Sequence, residues 1–173
     1  MQRRPLIAGN WKMYKTIEEA LSFVKNILPT VEESQDKDIY LSIPFTAIHS
    51  ASGAAKESRL EIGAQNMNDA SEGAYTGEIA ARMLENAGAS FVVLGHSERR
   101  QFFNEDDSFI NKKIHRAMES SLRVILCIGE SLQQKEEGLT QEHLKAQIEK
   151  GLKDIDASHI EKIILAYEPI WAI

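Results

Sequence analysis

The chain has 173 residues, 43% of them apolar and 27% charged, the profile of one ordinary globular domain with a sizeable core. Its net charge of −6 argues against nucleic acid, which favours a basic face, and makes an anionic ligand depend on a local positive site. No apolar run approaches the ~20 residues of a membrane span.

The start, Met1-Gln2-Arg3-Arg4-Pro5, is basic. The apolar stretch after it, Leu6-Ile7-Ala8, is too short for a signal peptide, so a cytoplasmic location is expected. The first strand is predicted over residues 6–9. Thr16-Ile17-Glu18-Glu19 is a capping box, and Leu21, Val24, Ile27 and Leu28 then form one apolar helical stripe. A second strand is predicted over 39–43, and Pro44-Phe45-Thr46 opens a weaker helix. A third strand is predicted over 60–64, and a short helix over 79–87 is ended by Gly88. After a fourth strand over 91–94, Asp106 or Asp107 caps a helix that buries Ile110, Ile114 and Ala117. The fifth strand, 124–128, holds Cys127, the one cysteine, which forms no internal disulfide and reads as a small buried hydrophobe. Beyond Thr140, Leu144, Ile148 and Leu152 mark one face of a helix that leads to a sixth strand over 163–167.

These strands are continuous apolar runs, as parallel strands covered on both faces are. The chain reads as a single α/β domain over 1–173, with neither linker nor low-complexity segment. A β/α barrel and a doubly wound open sheet both fit the alternation. A glycine-rich phosphate loop after the first strand would mark the second, and there is none. Length favours the open sheet, because a complete barrel usually takes ~250 residues.

Ligands in parallel α/β folds gather at the carboxyl ends of the strands. The first strand delivers Asn10 and Lys12 there, and the lysine reads either as a solvated surface group or as an anion anchor. The fourth delivers Gly95-His96-Ser97-Glu98-Arg99-Arg100. His96 falls where a helix begins, which favours the neutral imidazole; it is either a hydrogen-bond donor to a carbonyl oxygen or a structural cap. The sixth ends in Tyr167-Glu168-Pro169, where partial desolvation suits Glu168 to be a general base, with a salt-bridged structural carboxylate as the alternative. An electrophile, a base and an anion anchor together suit proton abstraction next to a carbonyl in a phosphorylated substrate. His49, His115, His143 and His159 show no metal-ligand spacing and read as surface or structural groups.

Six segments carry a resemblance that spans the chain. They are Gly9-Asn10-Trp11-Lys12, Gly63-Ala64-Gln65-Asn66, Gly73-Ala74-Tyr75-Thr76-Gly77-Glu78, Leu94-Gly95-His96-Ser97-Glu98-Arg99-Arg100, Cys127-Ile128-Gly129-Glu130 and Ala166-Tyr167-Glu168-Pro169-Ile170-Trp171. In this order and spacing they resemble the triosephosphate isomerase family of (β/α)8 TIM barrels. The resemblance implies interconversion of dihydroxyacetone phosphate and D-glyceraldehyde 3-phosphate, a step of glycolysis and gluconeogenesis, with no cofactor and no metal. It implies Glu168 as the base and neutral His96 as the electrophile, roles for which this enzyme is a standard worked case. It assigns Asn10 and Lys12 to substrate binding. Ser97 would hold Glu168 at rest, and Glu98 would tie to the Lys12 region. It further implies a homodimer through the loop 66–78, with Tyr75 and Thr76 at the contact.

In that family the lid begins at Pro169-Ile170-Trp171, and two more strands follow. The resemblance therefore implies an incomplete barrel of about six parallel strands over 1–173. Most of the phosphate grip lies in the missing part, so this chain alone is expected to turn over slowly or not at all. Two readings stand: part of a working isomerase, or a non-catalytic fragment that self-associates.

Overall fold

A computed structural model describes residues 4–173, so the basic start at residues 1–3 lies outside the described part. Six strands alternate with helices. The strands are β1 (Leu6–Asn10), β2 (Asp38–Ile43), β3 (Leu60–Ala64), β4 (Phe91–Leu94), β5 (Arg123–Ile128) and β6 (Ile163–Tyr167). The helices are α1 (Ile17–Glu33), α2 (Phe45–Ala55), α3 (Ala81–Ala87), α4 (Ser97–Phe102), α5 (Asp107–Met118), α6 (Leu132–Glu136) and α7 (Thr140–Gly151), with short 3₁₀ turns at Ala157–Lys162 and Ile170–Ala172. The strands form one sheet in chain order, every pair parallel. The result is a curled part of a barrel, the incomplete barrel of six parallel strands that the resemblance implies, and not the open sheet that length alone favoured.

Both faces of the sheet are covered, which is why its strands read as unbroken apolar runs. Val92, Leu94, Val124, Leu126 and Ile128 point outward into the main core beneath the helices. Their neighbours Phe91, Val93, Ile125 and Cys127 point inward with Tyr40, and Leu6, Ile164 and Ala166 pack against them. Burial falls off at the two edge strands, where Ile7, Leu165 and Tyr167 are about half exposed.

The local signals translate into structure with instructive exceptions. Thr16 makes both arms of the capping box: its hydroxyl accepts the Glu19 N–H at 3.4 Å, and the Glu19 carboxylate accepts the Thr16 N–H at 2.7 Å. On α1, however, Ala20, Val24 and Val31 are the buried residues, while Leu21 is exposed at the rim of the stripe. Asp106, not Asp107, caps α5, accepting the Phe109 N–H at 2.7 Å. α3 starts at Ala81, two residues late, because the Ile79 carbonyl accepts the Asn68 N–H at 2.9 Å and closes the base of the preceding loop. Gly88 ends it with φ +91, the left-handed cap that glycine adopts without a Cβ clash. Around α7, Leu144, Ile148 and Leu152 pack against the core as partly buried residues, but Gln147 and Gly151 lie deeper.

Candidate active site

β1, β4 and β6 deliver their last polar side chains to one end of the sheet. Asn10, Lys12, His96 and Glu168 line a single cleft of about 380 Å³ with Tyr167, Pro169, Ala172 and Ile173. The strand register explains the convergence. Inward and outward positions alternate, so Glu168 continues the inward face on which Ala166 packs. It is held there by its N–H, which donates to the Ile128 carbonyl at 2.9 Å.

His96 is the N-cap of α4 and is buried. Its Nδ1 accepts the Glu98 N–H at 3.3 Å. The same Nδ1 lies 3.5 Å from Glu98 Oε2, so Glu98 orients the ring from that side and leaves Nε2 facing the cleft. Nε2 faces Oε2 of Glu168 at 3.5 Å. The Glu168 side chain keeps 40% exposure, so it is less desolvated than its place at the end of a strand suggested.

Lys12 sits opposite. Its ammonium pairs with Glu98 at 2.8 Å, and both groups are more than a third exposed. Its backbone has φ +52, the left-handed region that costs a residue with a Cβ. Local bonds hold it there: the Lys12 N–H donates to Asn10 Oδ1 at 2.9 Å, and Gln65 Nε2 donates to the Lys12 carbonyl at 2.7 Å and to Asn10 Oδ1 at 3.1 Å. Strand-end reasoning missed the part of Gln65, because an amide following an alanine carries no sign of its partners. Its place one residue past the end of β3 was the available signal.

Ser97 lies with Glu168 against a second, small cavity, without a hydrogen bond between them among the described residues. Glu130 also emerges. It is buried at the end of β5 and accepts the Trp171 indole N–H at 3.0 Å and the Tyr167 hydroxyl at 3.1 Å. These bonds, the indole first, hold its carboxyl below the ordinary range despite burial. In Tyr167, burial and the bond to Glu130 push the hydroxyl up. Together they anchor the turn just after Glu168.

Tyr75 and Thr76 lie away from this cluster, exposed in a loop where Gly73 and Gly77 have positive φ. Asn68 closes the loop base through Glu78 Oε2 at 2.8 Å. The four remaining histidines stand apart from the cleft: His115 contacts the Lys153 carbonyl, His143 contacts Gln134, His49 is exposed, and His159 is partly buried in the 3₁₀ turn before β6. No group of three or more potential metal ligands occurs among the described residues.

A parallel β/α sheet that curls as a barrel does, with a carboxylate, an imidazole and an ammonium gathered at the carboxyl ends of its strands, places the chain in the class of β/α barrel proteins. The triosephosphate isomerase family model matches residues 5–173. The chain is 51% identical over 171 residues to a triosephosphate isomerase of Protochlamydia amoebophila, covering 99% of this chain and 64% of that protein. It is 46% identical to one of Clostridium botulinum, with 99% and 68% covered. The crystal structure of triosephosphate isomerase from Bartonella henselae superposes with a TM-score of 0.90 at 36% identity, covering 98% of this chain and 69% of that one. The chain belongs to the triosephosphate isomerase family, and it spans about two thirds of the length of these relatives.

Proposed function

We propose that this chain carries the acid–base half of a triosephosphate isomerase site, interconverting dihydroxyacetone phosphate and D-glyceraldehyde 3-phosphate. The observation that carries the reading is the approach of His96 Nε2 to Glu168 Oε2 at 3.5 Å in the cleft that also holds Lys12. In this reading the Glu168 carboxylate takes a proton from the carbon beside the substrate carbonyl and returns it to the neighbouring carbon. The Nε2–H of neutral His96 hydrogen-bonds the oxygen on which negative charge develops, stabilising the enediolate. Lys12 supplies the local positive field that a chain of net charge −6 otherwise lacks, and Asn10 shapes the same wall. Glu98 orients Lys12 through their ion pair. In this reading Ser97, which lines a small cavity with Glu168, would hold it at rest after a side-chain rotation brings the two within hydrogen-bond reach.

The exposed side chains Met13, Tyr14, Tyr75, Phe102 and Phe103 support a homodimer. Tyr75 and Thr76 of the loop 66–78 would reach the neighbouring site. The 173 residues act as one α/β barrel unit, and the setting is cytoplasmic; among the described residues no helix is long and apolar enough to cross a membrane. No observation favours a non-catalytic role.

The test is triose phosphate interconversion by the polypeptide that carries these residues, against its Glu168→Gln variant. Removing a positioned base should cost about 10²–10⁴-fold in kcat. Near-full turnover in the variant would sink the assignment.

A further inference from the structure

The registered pairing of β4 with β5 stops at Leu94 and Leu126. Just beyond it, Gly95 turns at φ +72 into His96. At that point one side chain takes over from the ladder. Arg100 of α4 donates from Nε to the Gly95 carbonyl at 2.7 Å, from Nη2 to the Cys127 carbonyl at 3.3 Å and from Nη1 to Asp107 Oδ1 at 2.5 Å. Its side chain is only 16% exposed, and Asp107 holds its charge.

The two carbonyls are neighbours of the reacting groups. The Gly95 carbonyl belongs to the peptide that joins His96. The Cys127 carbonyl belongs to the peptide that joins Ile128, whose own carbonyl accepts the Glu168 N–H. A planar guanidinium with donors in a fixed fork sets the spacing of its acceptors more rigidly than an ammonium can. The surroundings leave little slack: a Cβ on Gly95 would lie 3.0 Å from Arg100 Nη2 and 3.2 Å from the Cys127 carbonyl.

We propose that Arg100 is a positioning residue that sets the approach of His96 to Glu168 by tying together the carboxyl ends of β4 and β5. Its effect on rate rests on the isomerase reading; its effect on geometry does not. Arg100→Ala removes all three bonds, and Arg100→Lys retains the charge with at most one of the strand ties. Misplacement of reacting groups by about 1 Å costs on the order of 10²-fold, so Arg100→Ala should lower kcat by about that factor and Arg100→Lys by about tenfold. KM should stay near its parent value, because Arg100 makes no bond to Asn10 or Lys12.

NMR provides a readout independent of turnover. The ring ¹⁵N resonances of His96 and the amide resonance of Glu168 should move in both variants. Parent kcat with unmoved resonances in Arg100→Lys overturns the proposal, and so does a raised KM at unchanged kcat. If Arg100→Ala fails to fold, Arg100→Lys decides. If the parent polypeptide shows no turnover, as is expected of these 173 residues alone, the resonances alone decide: movement in Arg100→Lys upholds the tie, and unmoved resonances overturn it.

Discussion

Gly129 and Glu168 touch backbone to backbone: a Cβ built on Gly129 would lie 1.9 Å from the Glu168 carbonyl oxygen. The residue after β5 thus fixes how closely the residue after β6 approaches it, with no side chain involved. Nearby, the Gly129 N–H donates to the buried Gln147 amide oxygen at 2.9 Å, which closes the approach from the α7 side.

Gly129→Ala should therefore push the end of β6 away. Overpacking of this kind costs about 1–3 kcal/mol. A lower urea midpoint is expected, with a loss of turnover larger than the loss of folded protein explains. A variant with parent stability would show that β6 yields without cost.

Lys12→Met removes the ammonium but keeps much of the stem. A hydrogen bond to a charged group contributes about 1.5–3 kcal/mol, equivalent to roughly 10–100-fold in affinity. Inorganic phosphate and triose phosphates should bind that much more weakly. Titration of both ligands at fixed ionic strength checks it, because the pair with Glu98 is exposed enough to be screened by salt.

A second group of charges joins the buried Glu105 and Lys113 to Arg99. Glu105 Oε1 accepts from Lys113 at 2.6 Å and from Arg99 at 2.7 Å, and Lys113 also donates to Asn66 Oδ1 at 2.8 Å. Burial pulls the Lys113 ammonium below its ordinary range, and the bond to Glu105 opposes this. Glu105→Leu strands that buried ammonium and should cost about 3–5 kcal/mol, while adding Lys113→Met should recover much of the loss. Denaturant unfolding of both single variants and the double variant measures the coupling.

Burial, with the Glu168 charge second, pushes the Cys127 thiol up to about 12 from an ordinary 9.0. Between these values the unfolded chain loses the proton and the folded chain keeps it. This contribution to stability is therefore fully present below pH 9 and lost as pH rises towards 12. Urea midpoints should fall over that window, less steeply in Cys127→Ala, and the native thiol should resist alkylation at neutral pH.

How much was visible beforehand differs from element to element. Thr16 with Glu19, Asp106 and Gly88 act within one turn of themselves, so short-range chemistry revealed them. The unbroken run of β5 announced a strand covered on both faces, and the inward packing of Cys127 follows from alternation along it. Lys12, His96 and Glu168 could be nominated because each directly follows such a run. Leu21 was misplaced because a helix of this length offers more apolar positions than its buried face uses.

The amino-acid sequence by itself determined the alternation of strands and helices, the local caps and the polar residues at the strand ends, all set by neighbours a few positions apart. The local patterns left barrel and open sheet both standing; the resemblance pointed to the barrel, and only the tertiary structure set the register in which its strands curl in chain order. The same holds for the 3.5 Å between His96 and Glu168, the placing of Gln65 under Lys12 and the bonds from Arg100 to two strand ends. The physical reason is that these relations join groups far apart in the chain. Their distances follow from strand register, twist and packing of the whole sheet, and no local pattern encodes them.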